Sequence, residues 1–527
     1  MTQISPPTST QISPQVSPLY DRFARAARAA PDKVALLTGG RGHTYAELLR
    51  DSAALAAGLQ AGGVRAGDHV GVLLPNCAQF VLLLLAAARC GAVLVPQSIG
   101  LSEAAVDATF RASGVRHLVA WHGAPAALTV AAGLEGGALR VCVGGPVGGW
   151  TAFDDLLAQA ASPDPLAIEA AGSDAALPYL MVLTSGSTGA PKPIVLSQRT
   201  KLLRAQCAVE LYGVRPDDVT LAATPLYHSL AQRLVLVPLL TGGTSVLMEH
   251  FTPAGWLEAV RAHKVSFSIA VSSQLKQLLA GFAPGQAPLE SLRCLVSSSA
   301  LLDDATKAAL FERVRCEFHE CYGTSEVAIA TNLSPEDARR SLGSVGRAVP
   351  GAEVAILDAA GRALPAGEQG EIAVRTKFLH SGYYGRPEAT AESMCGEYFR
   401  TGDLGRLDAN GYLYFLGRIK DIIITGGVNV YPKDIEDVVG SHPAVKECAA
   451  IPVADERLGE VVGVVLAPND PQAPPALRDL QRLCMQRLGD FQQPRVFHVV
   501  EALPRNPMGK LDKPALKQRF SNPAGQV

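Results

Sequence analysis

Tyr179-Leu180-Met181-Val182-Leu183 leads straight into Thr184-Ser185-Gly186-Ser187-Thr188-Gly189-Ala190-Pro191-Lys192. A short apolar run bounded by a Ser/Gly-rich stretch reads as a buried strand that ends in a loop. That loop places four hydroxyls, two glycines and one lysine within nine residues. Glycines let backbone N–H groups close around phosphate oxygens, hydroxyls donate further hydrogen bonds, and a lysine supplies counter-charge, so a nucleoside triphosphate is the natural occupant. An exposed Ser/Gly linker is the plain alternative; the preceding strand and the lysine at the end of the run speak against it. A Walker loop needs G-x-x-x-x-G-K-[ST], whereas Lys192 stands between Pro191 and Pro193 with no hydroxyl after it, so kinases and ATPases of that class fit poorly.

Outward from this loop, from residue 19 to about residue 417, short β-rich runs alternate with amphipathic stretches, the pattern of parallel sheets covered by helices. HVGVLL (69–74), a helical run over 77–90 and AVLVP (92–96) form one such unit; SFSIAV (266–271) with 274–280 forms another. Beyond Gly351 the texture changes to VAILD, GEIAVR and GYLYFLGR, separated by turns such as Ala360-Gly361 and Asn410-Gly411, and predicts a β-rich subdomain. Past Ile419 an Ile-rich strand, a Gly-Gly turn, a helix over 432–439, the strands ECAAIPV and VVGVVLA, a helix over 477–488 and a strand over 496–500 predict a separate α+β unit. The expected fold is α/β. A tail (1–18) precedes a large N-terminal domain of helix-covered β-sheets with its β-rich subdomain (19–419); a small mobile α+β C-terminal domain (420–520) and a tail (521–527) follow.

Composition narrows the function classes. The 527 residues carry 47 Lys+Arg against 49 Asp+Glu, a formal net charge of −2, so no polyanion-binding surface and no nucleic-acid partner is implied. Hydrophobic residues at 48% and charged residues at 18% suffice for large cores. Ten cysteines without C-x-x-C pairs argue against a zinc site and a disulfide framework alike, and point to a reducing, cytoplasmic setting. The most apolar stretch, 80–88, is interrupted by Arg89 and Gly91, short of the ~18 apolar residues of a membrane span. The N-terminal segment repeats TQISP within Ser/Thr/Pro/Gln-rich sequence and reads as a disordered tail, not a signal peptide.

Further motifs follow the loop in order: Tyr322-Gly323-Thr324-Ser325-Glu326, Tyr398-Phe399-Arg400-Thr401-Gly402-Asp403, Gly417-Arg418-Ile419-Lys420-Asp421, Gly426-Gly427-Val428-Asn429-Val430-Tyr431-Pro432 and Pro504-Arg505-Asn506-Pro507-Met508-Gly509-Lys510. Each alone reads as an ordinary turn, surface salt bridge or solvated tail. Together, over roughly residues 19–520, they resemble the adenylate-forming (AMP-binding, ANL) superfamily of acyl-CoA synthetases, adenylation domains and luciferases, of the aryl acid–CoA ligase kind. The resemblance implies that Thr184, Ser185, Gly186, Ser187, Thr188, Gly189 and Lys192 cradle ATP phosphates. It implies that Tyr322 stacks on adenine, that Gly323 and Thr324 belong to the same nucleotide-binding turn, that Ser325 hydrogen-bonds the α-phosphate and that Glu326 helps hold Mg²⁺. By the same resemblance, Asp403 would accept from both ribose hydroxyls and Arg418 would contact ribose or phosphate. It further implies that Lys420 is the interdomain hinge, that Gly426 and Gly427 line the pantetheine tunnel, and that Lys510 is the catalytic lysine of the adenylation step.

The implied activity is ATP-dependent acid–CoA ligation through an acyl-adenylate, with ATP, Mg²⁺ and coenzyme A as ligands. Loading a carrier protein's phosphopantetheine is the alternative, and a non-catalytic nucleotide sensor is a third reading. His228 matches the histidine beside the acyl pocket, which Leu230, Ala231, Ala328 and Ile329 would line; Arg233 is placed either to bind a second anionic group or to point into solvent. One departure stands out: Ser297-Ser298-Ser299-Ala300-Leu301 occupies the place of the family's Ser-Gly-Gly-Ala-Pro beside adenine and the acyl carboxylate. Serines at both glycine positions predict a narrower or more polar pocket.

Overall fold

The computed structural model describes residues 19–134, 136–159, 174–184, 192–282, 289–341, 343–505 and 511–521. The expected N-terminal tail lies outside them. Among the described residues four β-sheets organise the chain. A seven-stranded sheet carries the parallel strands His69–Leu73, Val93–Pro96 and His117–Trp121 and closes on the antiparallel pair Pro178–Thr184 and Lys192–Ser197. A nine-stranded sheet holds the parallel run Val219–Ala222, Phe267–Val271, Cys294–Ser298 and Glu317–Tyr322. The β-rich subdomain is a five-stranded antiparallel sheet built on Ala352–Leu357, Gln369–Thr376, Tyr398–Leu407 and Leu413–Arg418. A second five-stranded sheet follows, in which the long hairpin pairs the interior strand Gly459–Pro468 with the edge strand Val445–Asp455. This is the α/β architecture the alternation predicts.

The apolar run that stops short of a membrane span is instead the central helix. In Ala78–Cys90 every residue from Phe80 to Cys90 is buried, because neighbouring helices and sheets surround the helix on all sides. Gly91 ends it in the left-handed conformation (φ 76°), donating its N–H to the Ala87 carbonyl. Arg89, the charge that breaks the run, lies over the Tyr20 ring at 5.0 Å. Asn76, just before this helix, ties the two large sheets together. Its amide donates to the carbonyls of Thr224 and Met248 at 3.0 and 2.8 Å, and its Oδ1 accepts from Leu226 N at 2.8 Å. The segment leading to His228 is thereby fixed against the first sheet.

Buried polar groups give this frame a pH signature. His319, in the strand Glu317–Tyr322, is 5% exposed, with Nδ1 3.1 Å from the Asn332 amide and its ring edge-on to Tyr212. Burial, countered by Asn332 and reinforced by Arg293, pushes the imidazole down to about 4. The unfolded chain takes up this proton near pH 6.5 and the folded chain only near pH 4, so unfolding binds a proton in between and stability falls with pH. Between pH 7 and pH 5, urea denaturation should show the wild type losing about 1–2 kcal/mol more than His319→Gln. Equal losses would remove this assignment.

Candidate active site

Three separate segments meet at Glu326. The first is the loop hairpin. Thr184 and Lys192 are cross-strand partners, so the two ends of residues 185–191 are held in register at the edge of the seven-stranded sheet. Ser185, Gly186, Ser187, Thr188 and Gly189 lie outside the described residues. The Lys192 ammonium sits over the Tyr383 ring at 5.6 Å, and the Tyr383 hydroxyl donates to Glu326 Oε1 at 3.1 Å. The loop lysine and the carboxylate thus share one aromatic ring. Burial, then the Glu326 carboxylate, pushes the Tyr383 phenol well up, which keeps it a donor.

The second segment is the turn that carries Glu326, leaving the strand Glu317–Tyr322. A Cβ on Gly323 would lie 1.6 Å from the Ala328 carbonyl oxygen, so only glycine fits there. The turn is closed by Ala328 N to Thr324 O and Ala330 N to Tyr322 O, both 2.9 Å, and Ala328 is left at φ 63°. Backbone strain at a non-glycine residue marks a place where the surroundings fix the conformation. The third segment is the helix Gln198–Tyr212, whose Arg204 is 4% exposed. Its Nη2 donates to the carbonyls of Glu326 (2.7 Å) and Phe378 (2.9 Å), and its Nε donates to Phe378 O at 3.1 Å. His380 N donates to the same Glu326 carbonyl at 2.8 Å. Burial pushes the His380 imidazole down to about 4, so the group beside Glu326 is neutral.

A second cluster borders the first. Tyr322 donates its hydroxyl to Asp403 Oδ2 at 2.8 Å, and Arg418 Nε lies 2.7 Å from Asp403 Oδ1. Asp403 is 2% exposed, whereas the Arg418 side chain is half-exposed. Both carboxylate oxygens therefore already carry a protein donor, and a pair of ribose hydroxyls would share them. Tyr322 is itself a core residue, with its ring 5.9 Å from Phe415, so its visible work is to hold Asp403 in place. Sequence reading paired Asp403 with Arg418 only by motif, and missed Arg204, His380 and Tyr383 altogether. The one available signal was Phe378-Leu379-His380-Ser381-Gly382-Tyr383, an aromatic and histidine cluster without a motif.

Other expected site residues lie apart. His228 stands at the N-cap of the helix Ser229–Thr241, edge-on to Tyr227 at 4.3 Å. Gly426 (φ 58°) and Gly427 (φ 83°) form the two-residue turn between Ile423–Thr425 and Val428–Val430. Positive φ at both positions is what a type I′ hairpin requires, so the turn alone accounts for both glycines. Lys420 is exposed in the short turn Ile419–Asp421 between the third and fourth sheets. Lys510 lies outside the described residues, though its flanks meet: Arg505 bridges Leu511, and Asp512 N donates to Pro504 O at 2.9 Å.

Two family models match this chain, AMP-binding enzyme over residues 23–384 and AMP-binding enzyme C-terminal domain over residues 434–510. The chain belongs to the AMP-binding enzyme family. A feruloyl-CoA synthase from an Amycolatopsis species is 34% identical over 498 residues, covering 94% of this chain and 98% of that one. An o-succinylbenzoate CoA synthetase from Bacillus subtilis, solved with its acyl-adenylate intermediate, superposes with a TM-score of 0.84 at 28% identity, covering 94% of this chain and 97% of that one. Solved with ATP and magnesium, the same synthetase gives a TM-score of 0.83 at 28% identity, with 94% and 99% covered.

Within this family, the serines at residues 298 and 299 prove unlike each other. Ser298 ends a strand and pairs with Val271, but Ser299 is held at φ 77°, the left-handed conformation that favours glycine. Nearby, the buried Lys307 to Glu320 ion pair (2.7 Å) and Glu320 Oε1, which accepts from Leu302 N at 3.0 Å, hold the end of the segment that carries Ser299. An L-residue in that conformation costs about 1–2 kcal/mol, part of which glycine returns as unfolded-state entropy. Ser299→Gly should therefore stabilise the protein by about 0.5–1 kcal/mol, read as a higher urea midpoint at unchanged m-value. A lower midpoint would show that the serine side chain makes a compensating contact.

Proposed function

We propose that this chain is an ATP-dependent, AMP-forming acid–CoA ligase, and that the node around Glu326 is its adenylation centre. The carrying observation is that Lys192, Tyr383 and Glu326 form one connected cluster at the exit of the phosphate-loop hairpin. The residues fit a magnesium-bound nucleotide. Glu326 is 9% exposed with one oxygen committed to Tyr383, and Thr324 Oγ1 is buried with no partner among the described residues. Mg²⁺ held by Glu326 would neutralise triphosphate charge. Lys192 and the loop hydroxyls bind phosphate, Ser325 orients the α-phosphate, and Asp403 with Arg418 holds the ribose. The acid's carboxylate displaces pyrophosphate from the α-phosphorus, giving the acyl-adenylate; a thiol then attacks the activated carbonyl and AMP leaves.

Residues 19–419 and 420–520 act as two domains in this reading, hinged at Lys420. Supporting it, Lys420 is exposed in the short link between the two five-stranded sheets. Just after it, Lys517 Nζ anchors the helix Lys513–Phe520 to Asp421 Oδ1 at 2.8 Å. Rotation brings Lys510 to the site for adenylation and the Gly426-Gly427 turn for thioester formation. Coenzyme A is the acceptor; a holo carrier protein offers the same thiol arm, and comparing AMP release with each separates the two. Ten free thiols support a cytoplasmic setting, and among the described residues no helix is long and apolar enough to cross a membrane.

Lys510→Ala should lower carboxylate-dependent pyrophosphate exchange on the order of 10²–10³-fold, as for loss of one charge-stabilising donor. Thioester formation from pre-made acyl-adenylate should be largely spared. Equal losses in both half-reactions would contradict domain alternation.

A further inference from the structure

Behind the Glu326 node lies a group of cations that adenylation does not use. Lys201 and Arg204 stand one helical turn apart on Gln198–Tyr212, and both are about 95% buried. The Lys201 ammonium has three N–H donors to place, and among the described residues it makes one hydrogen bond, to the neutral Gln232 Oε1 at 2.9 Å. Gln232 is itself fully buried, with its amide nitrogen on Leu226 O at 2.9 Å. Arg233, the next residue on the helix Ser229–Thr241, is half-buried and makes no hydrogen bond or ion pair among the described residues. It lies within electrostatic reach of Lys201 and Arg204, and also of Tyr212 and the Cys321 thiol on the strand that ends at Tyr322. The half-buried Arg233 charge thus acts on buried groups of the helix Gln198–Tyr212 and of that strand. This supports the first of the two readings of Arg233 left open by the sequence, a guanidinium placed for a second anionic group.

The charge balance of this space is uneven. Three basic side chains approach one another, and among the described residues the carboxylate that acts on them is Glu326, through Arg204. Burial and the two arginines together hold the Lys201 amine well below its usual range, the sign of a cationic site short of anions. Uncompensated buried charge is costly, and a protein keeps it where an anion arrives. The location also suits a substrate tail. Arg204 donates to the Glu326 carbonyl at 2.7 Å, so the cations border the adenylation centre. His228, Leu230 and Ala231 precede Gln232 and Arg233 on the same helix or at its cap.

We propose that the acyl pocket takes an acid bearing a second anionic group, a carboxylate or a sulfonate remote from the reacting carboxyl, and that Arg233 anchors this group with Lys201 behind it. The inference rests on the ligase reading and names the substrate class for it. Arg233 is then a specificity residue that touches the tail and takes no part in the chemistry at phosphorus.

The test uses the full-length enzyme and matched acid pairs: glutarate against its monomethyl ester, terephthalate against 4-methylbenzoate, and 3-sulfopropanoate against pentanoate. Carboxylate-dependent pyrophosphate exchange and AMP release with CoA are measured for each. The wild type should prefer the anionic member of at least one pair by about 10–10²-fold in kcat/KM, as expected for one charge-assisted bidentate contact. The responding pair also separates carboxylate from sulfonate. Arg233→Met should abolish that preference mainly through KM, without lowering kcat/KM for the neutral member, and Arg233→Lys should restore part of it. Retained circular dichroism and melting temperature show that each variant is folded. A wild type favouring neutral tails in every pair, or an Arg233→Met enzyme with an unchanged ratio, overturns the anionic-tail assignment and leaves the ligase reading standing. Exchange absent with every acid overturns the ligase reading and this inference with it.

Discussion

The site depends on a single buried guanidinium. Arg204 spans from the helix Gln198–Tyr212 to two backbone carbonyls, those of Glu326 and Phe378, that belong to different parts of the chain. A planar fork of fixed N–H donors can hold two carbonyls in a defined mutual position, which a flexible ammonium does poorly. Because Phe378 leads to His380 and Tyr383, the same residue places both the Glu326 turn and the tyrosine that hydrogen-bonds its carboxylate. Removing Arg204 would strip the Phe378 carbonyl of its donors in a buried setting, at about 1–3 kcal/mol for the unsatisfied group, and would leave the Glu326 carbonyl with the His380 N–H alone. Burial makes the constraint costly to break, since Arg204 is 4% exposed and its donors are committed to backbone carbonyls.

Around that constraint the backbone is bent into conformations that side chains resist. Gly323 has no room for a Cβ, Ala328 sits at positive φ, and Ser299 keeps a glycine's conformation without being one. Such positions cluster where ligands approach backbone. The β-rich subdomain adds a second, softer set of contacts through Tyr322, Asp403 and Arg418, in which one partner is half-exposed and free to respond to a nucleotide. In the proposed reading, the node around Glu326 that would hold phosphate and metal is stiff, and the Asp403 cluster that would hold ribose is more adaptable.

Much of the fold was legible because its signals are local. The strand 69–73, the helix 78–90, the antiparallel hairpins after Gly351 and the Gly426-Gly427 turn all follow from apolar periodicity and turn chemistry. Glu326, Asp403 and Lys192 were legible because they lie in short motifs. Arg204, Tyr383 and His380 were not, because their work is to hold backbone carbonyls and carboxylates distant in sequence: Arg204 to Glu326 spans 122 residues. An arginine inside a helical pattern reads as a solvated face until tertiary structure buries it. Arg233 shows the same limit, since its surroundings come from another helix and from a strand end, which periodicity on its own helix does not reveal.

The most direct measurement is calorimetric titration of ATP, at saturating magnesium, into the wild type, Arg204→Lys and Arg204→Met, with near-ultraviolet circular dichroism as the control for folding. If Arg204 fixes the Glu326 turn, Arg204→Met should bind ATP about 10–10²-fold more weakly and lose most of the magnesium dependence of binding, with Arg204→Lys between it and the wild type. An Arg204→Met protein that keeps its tertiary spectrum and binds magnesium-ATP as tightly as the wild type would contradict the account.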